Sequence, residues 1–317
     1  MSNKDIYRDF CRENESVPLF HQPWWLDIMT ENLWDIAISF DKNHNVRAVM
    51  PYFIKNKYGQ RILMQPALTP YLGILFFYPP DINRRTSIYS FQSKHTRALI
   101  DQIPPKLLYQ YFNFIPQFDN WLPFYSNAYE QSVRYTYIID NIKNTEKVFD
   151  GFTNTIKRQI KEAENKVKIS YEDNLCLVFS MVKESLEKQK VDFGLNRDVL
   201  KALERKSFEL NQAKVLIARD KNGNVSSGVF LVWDNHKAYL LGLGTSQMYG
   251  SNNSTKLLIW ESIKYASKYV DTFDFEGSML PGVERLYRSF GGVRTGYYEV
   301  KKYKNKYFKA IFALLNK

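Results

Sequence analysis

Cysteine is nearly absent from this sequence. The two present, Cys11 and Cys176, stand far apart and lack the short spacings of metal or redox motifs. That points to a reducing compartment. No run approaches the ~18 apolar residues that a membrane-crossing helix needs. The opening Met-Ser-Asn-Lys-Asp carries no apolar core of a signal peptide. The expected location is therefore the cytoplasm.

What is abundant is aromatic and basic. There are 22 Tyr and 22 Phe, and 44 Lys and Arg face 33 Asp and Glu, a formal charge of +11. Such a charge favours an anionic partner, either nucleic acid, a phosphorylated substrate or acidic lipid, and serves solubility equally well. With 317 residues, 44% of them hydrophobic and 24% charged, the chain is globular and long enough for two domains.

In the first half, Phe20, Trp24, Trp25, Ile28 and Met29 recur near helical spacing, with His21 as a packed neighbour. Ile36–Phe40 and Val46–Ile54 read as strands joined by a turn, and Arg61–Met64 as a third. A proline-bracketed loop from Pro66 leads into an apolar strand. Its Tyr71 and Gly73 suit either a cleft-facing loop or a buried turn. The pattern predicts a helix over Ser93–Asn113, interrupted at Pro104-Pro105, and a strand over Ser132–Ile139.

A repeat organises the rest. Asp41-Lys42-Asn43-His44-Asn45-Val46 recurs as Asp220-Lys221-Asn222-Gly223-Asn224-Val225, each copy between two strands. Asp, Asn and Gly favour turns anyway, but the flanking order of strand, hairpin, strand, glycine-containing strand, helix and strand also repeats. Internal repetition redefines a fold. We read two related α/β domains, residues 1–144 and 145–300, divided near the polar run Asn141–Thr145. A basic segment, 301–317, packs back on the first domain or forms an interfacial helix.

The second domain opens with an amphipathic helix predicted over Phe149–Lys168, with Phe152, Ile156, Ile160, Ala163 and Val167 on one face. Lys157, Arg158 and Lys161 share the other side, as a phosphate clamp or as a salt-bridged face with Glu162. Helices over Leu175–Lys190 and Arg197–Glu209 follow. Strands over Lys214–Arg219, Val225–Trp233 and Lys237–Gly244 come next, the first two joined by the hairpin dipeptide Asn222-Gly223. The polar loop after Thr245 feeds a helix over Lys256–Tyr269 with Asn253 or Ser254 as its cap. A loop at a helix N-terminus is a ready anion site.

The stretch Thr272–Gly292 closes the domain. Phe273 and Phe275 fall on one face of a strand and Thr272, Asp274 and Glu276 on the other. Gly277-Ser278 ends that strand, and Val283–Phe290 forms a short helix ended by Gly291-Gly292. Two acids beside a glycine-rich break and the pair Tyr287-Arg288 suit an active-site wall, or equally a solvated turn.

The meander, loop, helix and following strand resemble the GNAT superfamily of N-acetyltransferases. In that superfamily a Gln/Arg-x-x-Gly-x-Gly/Ala loop holds the pyrophosphate of acyl-CoA. Gln247-Met248-Tyr249-Gly250-Ser251-Asn252 matches its first two fixed positions and departs at the third. The doubled domain is similar to the FemABX branch, the peptidoglycan bridge-forming aminoacyltransferases, and to the related CelD/BioF2-type acyltransferases. Lys157-Arg158-Gln159-Ile160-Lys161 resembles that branch's basic helix. Phe273-Asp274-Phe275-Glu276-Gly277-Ser278 with Phe290-Gly291-Gly292 resembles its closing motif. The bridge-forming enzymes keep an aromatic-lysine pair where this chain has Leu286-Tyr287 followed by Arg288. No heptad run marks the coiled-coil insertion of some members.

The resemblance implies an α/β fold of two tandem GNAT-like domains, each a mixed, mostly antiparallel sheet flanked by helices. It implies transfer of an acyl or aminoacyl group to an amine of a cell-envelope or sugar-linked acceptor. No cofactor is expected to bind tightly. Acyl-CoA is the favoured co-substrate and aminoacyl-tRNA the alternative, with tRNA and the inner membrane surface as further partners. Glu276 is the expected base, with Asp274 second. Tyr287 is expected to protonate the leaving group and Arg288 to offset charge. Gly244, Thr245, Gln247, Gly250, Asn252, Ser254 and Thr255 are expected to hold the donor. Lys157, Arg158, Lys161 and Tyr71 are expected to meet the anionic acceptor. The rival without catalysis is an RNA- or membrane-surface-binding protein.

Overall fold

A computed structural model describes residues 1–57, 59–187, 195–250, 252–277 and 279–315. The end of the helix expected to reach Lys190, and Ser251 and Ser278 of the two motifs, lie outside the described residues. The chain forms two compact units, one of Met1–Arg134 with Gly296–Lys317 and one of Tyr135–Thr295.

In the first unit β1 (Trp34–Phe40), β2 (Val46–Lys57) and β3 (Gln60–Met64) make an antiparallel meander. The short β4 (Leu75–Phe76) adds to β2. The helix Arg85–Ile100 then leads to β5 (Tyr109–Asn113), which runs parallel to β3 through Ile62↔Tyr109 and Leu63↔Gln110. The terminal strand Val293–Tyr303 lies antiparallel to β5, from Glu299↔Asn113 to Tyr303↔Tyr109. A helix had been expected to continue to Asn113. It stops at Ile100 because Pro104 and Pro105 supply no N–H donors, and the aromatic run Tyr109-Gln110-Tyr111-Phe112 is a strand former.

The second unit repeats this plan. Its strands are β6 (Glu130–Asp140, from Tyr135 on), β7 (Val167–Tyr171), β8 (Ala213–Asp220), β9 (Val225–Trp233), β10 (Ala238–Thr245) and β11 (Thr272–Asp274). They lie in the order β7-β8-β9-β10-β11-β6. A meander of β8, β9 and β10 is followed by the helix Ser254–Ala266. That helix leads to β11, parallel to β10, with β6 antiparallel beyond it. Each unit is thus a mixed, mostly antiparallel sheet with helices against it.

The duplicated hairpins share the bonds from their aspartate to the two asparagines that follow. Asp41 Oδ1 accepts the backbone N–H of Asn43 at 2.8 Å and of Asn45 at 3.0 Å. Asp220 Oδ1 does the same for Asn222 and Asn224, both at 2.9 Å. His44 and Gly223, the one pair that differs, both take the left-handed conformation, at φ 60° and 84°. A bulge follows the same logic in each, between Ser39 and Phe40 and between Ala218 and Arg219.

The amphipathic helix expected from Phe149 is two helices, Thr145–Asp150 and Asn154–Glu164. Thr153 restarts it by capping Ile156 N–H, and Val167 begins β7. The core of the unit still takes Phe152, Ile156, Ile160, Ala163 and Val167. Each buried aliphatic or aromatic side chain contributes about 1.5–3 kcal/mol. The polar run after Asp140 is a turn within this unit, where Ile142 is fully buried and its N–H donates to Asp271 O at 2.9 Å.

Candidate active site in the second unit

The site forms where two parallel strands part. β10 pairs with β11 only at Ala238↔Phe273 and Tyr239↔Asp274, then continues to Thr245 with register partners on β9 alone. A bulge between Leu240 and Gly242 sits at the point of divergence. Beyond Tyr239, β10 has no strand partner on its β11 side among the described residues. Bulges commonly re-aim the chain beside active sites.

Glu276 stands two residues beyond the end of β11. It holds a left-handed backbone, φ 61°. For an L-residue this conformation costs roughly 1–2 kcal/mol. It persists only where the surroundings over-determine it, which is common at functional sites. Three contacts do so. Phe275 N–H donates to Tyr137 O at 2.9 Å. Asp274 Oδ1 accepts Glu276 N–H at 2.8 Å. Gly277, φ 71°, lies so close to β6 that a Cβ there would stand 2.0 Å from Tyr135 O.

The residue keeps some solvent exposure, yet its Oε1 is sealed and has no hydrogen-bond partner among the described residues. Burial of the carboxyl group, and then the charge of Asp274, push its pKa well above the usual carboxylate range. Asp274 itself is fully buried and fully engaged. Its Oδ1 also accepts Thr136 Oγ1–H at 2.5 Å, and its Oδ2 faces Lys237 Nζ at 3.6 Å. The two acids therefore differ in kind. Asp274 is anchored, and Glu276 is the one with an unused oxygen.

Two tyrosines complete the pair's surroundings. Tyr287 is buried, with its ring stacked on Phe275 at 4.7 Å, and burial followed by the charge of Glu276 pushes its phenol well up. Tyr239 is buried beneath, where desolvation, then Asp234, Asp274 and Glu276, push its phenol up as well. Its hydroxyl donates to Asp234 Oδ2 at 3.5 Å.

The loop before the helix Ser254–Ala266 is held by its own side chains. Asn252 Nδ2 donates to Ser226 Oγ at 2.8 Å, and Asn252 Oδ1 accepts Ser254 N–H at 3.2 Å. Ser254 is fully buried and bonded to Ser227 Oγ at 2.7 Å. Thr245 and Thr255 hydroxyls meet at 3.2 Å. Gly250 is required there, since a Cβ would stand 2.3 Å from Thr245 Cγ2. Gly244 is required for packing under the helix Leu175–Glu187, where a Cβ would stand 2.7 Å from Val178 O. Asn253 is the N-cap residue but makes no capping bond. Its amide donates instead to Glu162 at 3.1 Å. Gln247 is exposed.

The structure thus brings together Asp274, Glu276 and Tyr287, and separately Thr245, Gly250, Asn252, Ser254 and Thr255. Arg288 is largely exposed and pairs with Glu284 at 3.4 Å. Lys157 Nζ donates to Asp150 O at 2.8 Å, and Arg158 lies 3.6 Å from Glu162, whose carboxylate reaches the loop through Asn253. Lys161 is exposed on the same helix. Tyr71 belongs to the first unit, where it is buried with its ring edge-on to Tyr297 at 5.1 Å. Sequence reasoning missed Thr136, Lys237 and Tyr239. Only the register β10↔β11↔β6 reveals them, and no local pattern carries it.

No protein-family model matches the chain, and no curated sequence matches it. Solved structures do. FemX superposes with a TM-score of 0.65 at 12% identity, over 100% of this chain and 99% of its own. L-PGS from Bacillus licheniformis gives 0.52 at 11%, over 92% and 89%. A conserved protein of unknown function from Bacteroides thetaiotaomicron gives 0.51 at 11%, over 88% and 91%. The chain, with its two compact units along one polypeptide, has the fold of FemX.

Proposed function

We propose that this chain is an acyltransferase that moves an acyl or aminoacyl group from an activated donor to an amine. One observation carries the reading. At the end of the strand that parts from β10, a strained glutamate holds a sealed, unpartnered oxygen beside an anchored aspartate. A poised carboxyl in such a place suits proton transfer.

In the proposed reaction the neutral amine attacks the donor carbonyl. The C–N bond forms and the bond to the leaving group breaks. Glu276, ionised, accepts the amine proton directly or through water. Backbone N–H groups of β10 between Gly242 and Thr245 polarise the carbonyl. Tyr287 gives a proton to the leaving group and recovers one from Glu276, directly or through water, which restores both groups. Asp274 acts through Glu276, by holding its backbone and by setting its charge. The loop from Gln247 to Thr255 holds donor phosphate at the helix N-terminus, where no side chain of the N-cap residue competes. Lys157, Arg158 and Lys161 attract an anionic acceptor of cell-envelope or sugar-linked type.

Acyl-CoA is the donor we favour, because Leu286-Tyr287 stands where the bridge-forming enzymes keep a lysine. Aminoacyl-tRNA is the second reading, and the formal charge of +11 favours it. A thermal-shift panel of acyl-CoAs, CoA and aminoacyl-tRNA separates them, since a native-state ligand raises the melting temperature. Stabilisation by CoA species alone fixes the donor class. Stabilisation by none of them overturns the proposal.

A further inference from the structure

A second feature lies wholly within the first unit. A cavity of about 330 Å³ opens at the end of β5 where the terminal strand's Lys302 pairs with Gln110 and Tyr303 with Tyr109. That volume is at the small end of ligand pockets. Its floor is apolar, with Ile103 and Leu107 buried in it. Its wall carries the polar groups of Gln110 and Tyr129, whose hydroxyl donates to the Gln110 amide oxygen.

Three lysines line it, Lys106, Lys302 and Lys304, against one carboxylate, Asp101. None of the three forms an ion pair among the described residues. Their neighbours do. Lys301 pairs with Glu299 at 2.5 Å, and Lys309 with Glu130 at 2.5 Å. Two lysines of this stretch are thus neutralised, whereas the three at the cavity have no carboxylate partner among the described residues. Lys302 is further held over the Tyr129 ring, with Nζ 5.0 Å from its centroid. One residue at the cavity's edge, Lys106, takes a left-handed backbone, φ 64°, where no glycine stands. Strain of this kind clusters at ligand clamps.

We propose that this cavity binds a phosphate monoester. Three ammonium groups from two separate segments match a doubly charged, compact anion, which takes charge-assisted hydrogen bonds from each. The apolar floor accommodates a short carbon chain attached to it. The site is independent of the acyl-transfer reading, since it uses no residue of the second unit.

The test uses glycerol phosphate and vesicles of phosphatidylcholine with or without phosphatidic acid, which carry the same headgroup in free and lipid form. Titration calorimetry and vesicle co-sedimentation are run on the full chain. The variants are K302E/K304E, Lys106→Gln, and a control of equal net charge, K42E/K268E. The expected result is saturable binding of one form, weakened at least tenfold by K302E/K304E and several-fold by Lys106→Gln, but not by the control. Binding of glycerol phosphate with indifference to vesicles assigns a soluble ester. Recruitment only by phosphatidic acid, competed by glycerol phosphate, assigns a lipid headgroup. Absence of binding in both forms, or equal weakening by the control pair, overturns the proposal. Unchanged thermal melting of each variant shows that folding is intact.

Discussion

Asp274 Oδ1 accepts the backbone N–H of Glu276 at 2.8 Å. One carboxylate thus fixes the conformation of the other, while burial and then the charge of Asp274 raise the pKa of Glu276. The same oxygen is tied to β6 by Thr136 Oγ1 at 2.5 Å. Thr136 is therefore a positioning residue for Glu276. Replacing Thr136 by Val removes the donor without changing the shape, and hydrogen bonds to charged groups contribute about 1.5–3 kcal/mol. Thr136→Val is expected to lose that much stability in denaturant unfolding and to lower turnover, while Thr136→Ser restores both. Equal loss in Val and Ser variants points to packing instead.

Gly277 and Gly223 both hold positive φ, at 71° and 84°, but with opposite surroundings. Nothing stands within 4 Å of a Cβ at Gly223, whereas Tyr135 O lies 2.0 Å from one at Gly277. Gly277→Ala is expected to disrupt β6 and β11 and to cost more than about 3 kcal/mol, the range of severe single substitutions. Gly223→Asn is expected to cost under about 1 kcal/mol, because Asn tolerates the left-handed region. Chemical denaturation of the two variants side by side checks this.

Two glutamates give opposite pH dependences. Glu276 has a folded-state pKa raised above its ordinary 4.5, so the native protein holds the proton more tightly than the unfolded chain. Its contribution to stability is greatest below pH 4.5 and declines as the pH rises toward the folded value. Glu299 is the reverse. Burial pushes it up, but hydrogen bonds from Lys301, Ser132, Tyr111 and Arg134 outweigh that and hold it at about 2. Its contribution is present above pH 4.5 and is lost as the pH falls toward 2. Thermal melting across pH is therefore expected to show Glu276→Gln gaining on the native protein as the pH rises. Glu299→Gln is expected to flatten the acid limb. A Glu276→Gln difference that is constant with pH argues against a raised pKa.

Much of this arrangement was readable in the sequence. The Asp-Lys-Asn-x-Asn hairpins announced a duplication, because both the turn residues and their flanks repeat, and in both turns the aspartate accepts the same two backbone N–H groups. The alternation of Phe273 and Phe275 with Asp274 and Glu276 implies one strand for both acids, but β11 ends at Asp274 and Glu276 follows in the left-handed conformation that Asp274 and Gly277 impose. What escaped was set by distant pairing. Tyr109–Asn113 reads as the end of a helix by local pattern, and partners as remote as Glu299–Tyr303 make it a strand. The polar run after Asp140 looked like a linker and is a packed turn, since Ile142 is buried. Thr136 and Tyr239 become part of the acid pair's surroundings only through the register of three strands that lie far apart in the chain. No spacing rule reaches that far.

Turnover of Glu276→Gln, with the donor identified by thermal shift, tests the central claim most directly. The amide keeps the shape of the side chain and cannot accept the amine proton, and a positioned acid-base group contributes about 10²–10⁴-fold. The account predicts a kcat at least about tenfold lower at saturating substrate, within that effect, with melting temperature at pH 4.5 unchanged. An unchanged kcat in a folded variant would contradict it and remove Glu276 from the chemistry.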